Sequence, residues 1–135
     1  MDSFQAAVLL EKMAIFDEEL AARHRVAEVY NERLSSIAKP QAHVGGALSG
    51  YGYYAMRMEN RDHVVSSVKK MGVPTAVYYS TPLHQMQAFE AYAPEGGLPV
   101  TEQVSADILS LPMHPYLTPD QVDYICDAVE AAAQK

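Results

Sequence analysis

The sequence predicts an α/β (α+β) domain in which a long leading helix, or a kinked pair of helices, precedes a core of strands and packed helices. Three observations predict it. Apolar residues recur at threes and fours through residues 1–37, strand and helix patterns alternate from 51 to 79, and a strongly punctuated helix ends the chain. A strand, a helix and a strand in succession point to a split or crossover α/β unit and away from an all-helical bundle. The 135 residues suit a single domain over 1–135, with leading helices over 1–37 and an α/β core over 51–135.

In the leading region Leu9, Met13, Phe16, Leu20, Ala27, Tyr30 and Leu34 form one apolar stripe that must face a partner. Asp2 and Gln5, three apart, make a capping box. Asp17, Glu18 and Glu19 suit the first turn of a second helix, where the dipole favours negative charge, so a break is expected near Phe16 or Asp17. Residues 35–50, SSIAKPQAHVGGALSG, lose all periodicity and read as a loop long enough to hide a short strand or a mobile segment.

Tyr51 to Met58 is rich in aromatic and apolar residues and predicts a strand. Asn60 then caps a helix whose Val64, Val65, Val68 and Met71 face inward, and Gly72 closes it where a left-handed residue is wanted. Thr75 to Tyr79 is the next expected strand. After Ser80 the chain reads as loop through Pro94 and the Gly96-Gly97 pair, followed by a helix from about Thr101 to Leu109. LSLPM is a brief apolar strand ended by Pro112 and Pro115. In the last helix Thr118 is the cap, Pro119 the first residue and Gln121 the third, with Val122, Ile125 and Val129 on one face.

The formal net charge is -7, from 17 acidic and 10 scattered basic residues, which argues against nucleic acid as a partner because phosphate neutralisation needs a clustered positive surface. Cys126 is the single cysteine, so no intrachain disulfide forms; its place on the apolar helix face marks a buried structural thiol. No apolar run approaches the roughly 20 residues that cross a bilayer, and Asp2 without a basic lead-in is unlike a secretory signal. These features predict a cytoplasmic protein that does not enter membranes.

Imine chemistry on a carbonyl cofactor requires a lysine able to shed its proton in a sheltered setting. Lys12, Lys69 and Lys70 fall on solvent faces of helices, Lys39 in a loop and Lys135 at the terminus, so no catalytic residue and no covalent cofactor is expected in this chain. His24, His43, His63, His84 and His114 fit no metal-ligand spacing, and no metal is expected.

Three phrases carry a family resemblance: GVPTAVYYSTPLH, then LPVTE, then LSLPMHPYLTPDQV. In this order and separation they resemble the carboxy-terminal region of the sugar-nucleotide aminotransferases of the DegT/DnrJ/EryC1/StrS family, which use pyridoxal phosphate. MDSFQAAVLLEKM resembles the helix that follows that family's Asn-x-Arg segment. The resemblance implies the small domain of a fold-type-I aminotransferase, with a mainly antiparallel sheet, and places the coenzyme and its lysine in an upstream half outside this sequence. It also implies substrate contact near the family's His-Tyr-Pro and Pro-Leu-His residues. Here Tyr79 and His84 agree with that pattern, while Tyr78 stands where histidine is usual, Ser80 where proline is usual, and Met86-Gln87 where Gln-Pro is common. The site residues implied are therefore Tyr78, Tyr79 and His84; tyrosines at a strand end also pack by one face and bond outward, so both roles are open for the pair.

Two readings follow. The chain is the carboxy-terminal domain of an enzyme that aminates a 3-keto nucleotide sugar for surface polysaccharide, inactive by itself. Alternatively it is a stand-alone module derived from that domain, paired as a homodimer through the exposed helix stripe and binding a nucleotide sugar.

Overall fold

The computed structural model describes residues 2–134. Helix α1 (Ser3–Ala14) opens with the expected capping box, Asp2 Oδ1 accepting from the Gln5 amide at 2.8 Å. The break comes at Ile15, whose backbone leaves helical geometry at φ -110° and ψ 7°. Helix α2 (Phe16–Leu34) then starts with Asp17, Glu18 and Glu19 in its first turn, where the unpaired amides attract negative charge. Glu19 also accepts from Lys12 and from the Tyr116 hydroxyl, so the bend is pinned on both sides.

Strand β1 (Lys39–Pro40) pairs antiparallel with β2 (Tyr54–Arg57), which pairs antiparallel with β3 (Ile108–Leu111), giving the order β1-β2-β3. In β2, Tyr54 and Met56 point into the core while Ala55 and Arg57 are half-buried, the period of two that a one-sided sheet demands. Between the two longer strands lies α3 (Arg61–Lys70); α4 (Pro99–Asp107) precedes β3, and α5 (Pro119–Ala133) ends the fold. Helices α2 and α3 both pack on α5.

Tyr30 and Leu34 of α2, Val64 and Val68 of α3, Met56, Leu109, and Cys126 with Val129 of α5 are the largest completely buried side chains. The Tyr30 hydroxyl donates to the Pro112 carbonyl at 2.9 Å and that of Tyr54 to Asn31 Oδ1 at 2.8 Å; burial pushes both phenols above their ordinary range. Burial likewise pushes the Cys126 thiol up to about 11, in keeping with a structural thiol. Thr118 and Gln121 form the capping box that begins α5. At the outer face, Arg33 of α2 reaches Asp127 and Glu130 of α5 at 2.6 and 2.9 Å.

Two local expectations are corrected. Asn60 precedes α3 as expected but makes no side-chain cap bond, because its backbone is left-handed at φ 54° and not extended as a capping residue requires. Thr75 to Tyr79 is not a strand: it makes one bridge, Ala76 to Ser110. Continuing that antiparallel register one hydrogen-bonded step would set Pro74 against Pro112, neither of which has an N–H to give. In the other direction Tyr79 turns to φ 57° and leaves the sheet. The stretch after Ser80 also holds more order than a plain loop, with 3-10 turns at Leu83–Gln85 and Gln87–Tyr92.

The apolar stripe divides at the bend. Ala27, Tyr30 and Leu34 are buried, whereas Leu9, Met13 and Phe16 are 48%, 60% and 50% exposed. Leu34→Ala should therefore cost about 2–5 kcal/mol by urea unfolding, the range for a closed-in leucine. Leu9→Ala, already half in water, should change stability by no more than about 0.5 kcal/mol.

Candidate functional site

The Ala76 bridge sets where the chain leaves the core: the Ala76 amide donates to the Ser110 carbonyl at 3.0 Å and the Ser110 amide returns the bond at 2.8 Å. Two residues later the backbone turns, placing Tyr78 and Tyr79 outside the sheet. The Tyr78 ring packs on Tyr53 with centroids 4.6 Å apart, and the two flank a cleft of about 310 Å³ that Pro74, Pro112 and Met113 complete. Arg23 of α2 steadies its base, donating to the Tyr51 carbonyl at 2.9 Å and the Met113 carbonyl at 3.4 Å.

Tyr79 is 88% exposed and holds a left-handed backbone, a conformation that side chains with a Cβ adopt at a cost. His84 follows on the first 3-10 turn, its side chain only 10% exposed. Its Nε2 lies 2.9 Å from Glu102 Oε1, and the same oxygen accepts the Leu98 amide at 2.9 Å. Those bonds hold the Glu102 carboxyl below its ordinary value, the backbone amide of Leu98 contributing most and His84 next. Gly97 sits against this carboxylate: at φ 70°, a Cβ added there would come within 2.6 Å of Glu102 Oε1.

The structure thus joins Tyr78 to Tyr53 and His84 to Glu102. Among the described residues, no hydrogen bond or ring contact links His84 to Tyr78 or Tyr79. Tyr53 and Glu102 join the site through packing that no local residue pattern marks. Glu102 does stand in the LPVTE phrase, and the Gly96-Gly97 pair just before it was visible as a turn signal.

A larger cleft, about 780 Å³, is lined by Ser35, Lys39, Arg57, Asn60, His63 and Asp107 among others and contains none of the three expected site residues. Its strongest cation is already engaged, since Arg57 grips Asp107 through two bonds of 2.8 and 2.6 Å. Among the described residues no group of three or more His, Cys, Asp or Glu side chains could hold a metal ion. His43 Nε2 meets the Tyr51 hydroxyl at 2.7 Å, and His114 Nδ1 accepts the Tyr116 amide at 3.2 Å, a turn-stabilising contact. Among the described residues no helix is long and apolar enough to cross a membrane.

The described lysines do not suit pyridoxal phosphate. Lys12, Lys39, Lys69 and Lys70 are all exposed, and Lys12 is shifted the wrong way, its hydrogen bond to Glu19 raising the ammonium above its usual range. An imine-forming amine must lose its proton, which desolvation favours and a neighbouring carboxylate opposes.

The sequence profile of the DegT/DnrJ/EryC1/StrS aminotransferase family matches residues 1–130. The UDP-2-acetamido-2-deoxy-3-oxo-D-glucuronate aminotransferase of Pseudomonas aeruginosa is 41% identical over 131 residues, which is 96% of this chain and 36% of that protein. A crystal structure of a DegT DnrJ EryC1 StrS aminotransferase from Brucella abortus superposes with a TM-score of 0.92 at 41% identity, across 100% of this chain and 36% of that one. DesV of S. venezuelae, solved in complex with a ketimine intermediate, superposes equally well at 0.92 with 30% identity, over 100% of this chain and 37% of its own. The small antiparallel sheet with packed helices is therefore the architecture of part of these aminotransferases, and the chain spans just over a third of their length. The chain belongs to the DegT/DnrJ/EryC1/StrS aminotransferase family.

Proposed function

We propose that this chain is the carboxy-terminal domain of a pyridoxal-phosphate-dependent sugar-nucleotide aminotransferase that aminates a 3-keto nucleotide sugar for surface polysaccharide. The coenzyme and its lysine belong to the remainder of the enzyme, and this domain lines the substrate cleft with Tyr78, Tyr79 and His84. The observation that carries the reading is Tyr79: a solvent-facing tyrosine held at φ 57° beside the Tyr78–Tyr53 pair. Such a conformation is costly, and costly backbones gather where a ligand makes use of them. The name of the Pseudomonas aeruginosa relative, an aminotransferase for a 3-oxo sugar nucleotide, supports the substrate class.

In this role the three side chains bind and orient, and the coenzyme supplies the amino-transfer chemistry. Tyr78 and Tyr79 offer aromatic faces with hydroxyl tips, suited to a ring that is apolar on its face and polar at its edge. His84 adds a fixed polar group a turn further along.

The test grafts this chain in place of the matching residues of the Pseudomonas aeruginosa relative. Tyr79→Ala and His84→Ala should each raise the KM for the keto nucleotide sugar by about tenfold, the loss of one bond in binding, while the coenzyme absorbance stays unchanged. Variants that bind coenzyme and match the parent KM would overturn the reading. The isolated chain, mixed with pyridoxal phosphate and borohydride, should gain no stoichiometric adduct by mass spectrometry; a single reduced adduct on any of its lysines would contradict it.

The exposed half of the helix stripe favours a second reading, a stand-alone homodimeric module. Phe4 and Leu10 are 79% and 72% exposed beside Leu9 and Met13, more apolar surface along one helix than a monomer in water ordinarily leaves bare. In the first reading the rest of the enzyme covers this face. By light scattering, the module reading expects a monodisperse dimer of the isolated chain that Met13→Glu converts to monomer; a dimer indifferent to that change argues against it.

A further inference from the structure

We infer that the cleft of about 310 Å³ beside Tyr53 and Tyr78 takes the nucleobase of the sugar nucleotide, with the Tyr53 ring as a stacking face and the Ser110 hydroxyl as a hydrogen-bonding group. The inference rests on the proposed substrate class and says which part of that substrate this cleft holds.

The lining decides between the parts. A sugar nucleotide offers a charged diphosphate, a sugar with polar groups all round its edge, and a flat uncharged base. No charged side chain lines the cleft, so nothing in it offsets a diphosphate or a sugar carboxylate. Apart from the two tyrosines, its polar side chains are Thr75 and Ser110, too few to replace the water around a sugar's hydroxyls. The rest is flat or apolar: two phenol rings, the Pro74 and Pro112 rings and the Met113 thioether. A base suits such a surface, because it stacks by its π-face and asks for few hydrogen bonds. Size agrees, since this volume lies at the lower end of small-molecule pockets and admits one ring system, not a whole sugar nucleotide.

Two residues outside the earlier assignment carry the site. Tyr53 is 63% exposed even after packing on Tyr78, so ring surface remains for a ligand. Ser110 alternates with Leu109 along β3, which turns its side chain to the face away from the core. Although Ser110 is only 6% exposed, and its amide and carbonyl are both taken by Ala76, no hydrogen bond among the described residues reaches its hydroxyl. That oxygen is not sealed off either, and it opens on the cleft that Ser110 lines. A polar group kept so close to burial without a partner is costly, and the edge of a base supplies one. The cleft is also preformed: Tyr30 holds the Pro112 carbonyl and Arg23 the Met113 carbonyl, so little ordering remains to oppose binding.

The test uses UDP, which has base and diphosphate but no sugar, as an inhibitor of the grafted enzyme. Tyr53→Ala and Tyr53→Leu should each raise its inhibition constant about tenfold, and the KM for the keto nucleotide sugar by the same factor, because both ligands share the base. Tyr53→Phe, which keeps the ring face, should recover most of the loss, and Ser110→Ala should raise both constants about fivefold, the loss of one hydrogen bond. A UDP constant unmoved by Tyr53→Ala and Ser110→Ala would overturn the inference, even if the KM rose, since the cleft would then serve the sugar; the proposed function would survive. Tyr53→Leu with the parent UDP constant would overturn it too, because apolar bulk without a ring face would suffice. If Tyr79→Ala and His84→Ala keep the parent KM while Tyr53→Ala weakens UDP, the earlier assignment of side chains fails and the base pocket stands.

Discussion

The two hydrogen bonds exchanged by Ala76 and Ser110 decide how this domain presents its surface chemistry. Ser110 lies in β3, opposite Ala55 of β2, and is itself buried, so the bridge ties a departing segment directly to the sheet. Because Pro74 and Pro112 stop the ladder on one side, the segment is held at a single point and then released. A longer strand would have carried Tyr78 and Tyr79 along the sheet with alternating faces; a single bridge lets both emerge in a turn. The Tyr53 contact, the cleft beside the two rings and the left-handed Tyr79 all follow from that geometry.

What makes the anchor firm lies behind it. Tyr30 donates to the Pro112 carbonyl, two residues beyond Ser110, and Arg23 holds the Met113 carbonyl, so α2 grips the chain on the far side of the bridge. Helix α2 is in turn locked on α5 by buried Leu34 and Val129 and, at the rim, by Arg33 among Asp123, Asp127 and Glu130. On the opposite flank, Arg61 of α3 is buried and donates to the Ile108 carbonyl at 2.8 Å, fixing the start of β3. The loop that follows is stabilised by a different device, the Glu102 carboxylate gathering His84 and Leu98 at one oxygen. The two halves of the candidate site are therefore independently supported.

Much of this was legible in residue patterns because the signals were local. The capping boxes at Asp2 and Thr118, the acidic turn after the bend, Gly72 in its left-handed place and the brief LSLPM strand each depend on neighbours within a few residues. Where partners are distant, local pattern was insufficient. Thr75 to Tyr79 has the composition of a strand, yet its fate depended on a proline 38 positions beyond Pro74 in the opposing segment, a pairing known only once the register is known. Asn60 is a favoured capping residue and equally a favoured left-handed one, and the turn out of β2 selected the second. His84 could be named from resemblance, but its partner Glu102, 18 residues away on another helix, could not. The split of the apolar stripe at Ile15 belongs to the same class, since periodicity shows that a face is apolar and tertiary packing decides which part is covered.

Amide hydrogen exchange, resolved by residue, tests the anchoring most directly. If the bridge is the fixed point, the Ala76 and Ser110 amides should exchange only with global unfolding, and the Tyr78 and Tyr79 amides should exchange orders of magnitude faster. Equal, rapid exchange at Ala76 and Tyr79 would mean that the segment is not held where described, and the account of the site would fail with it.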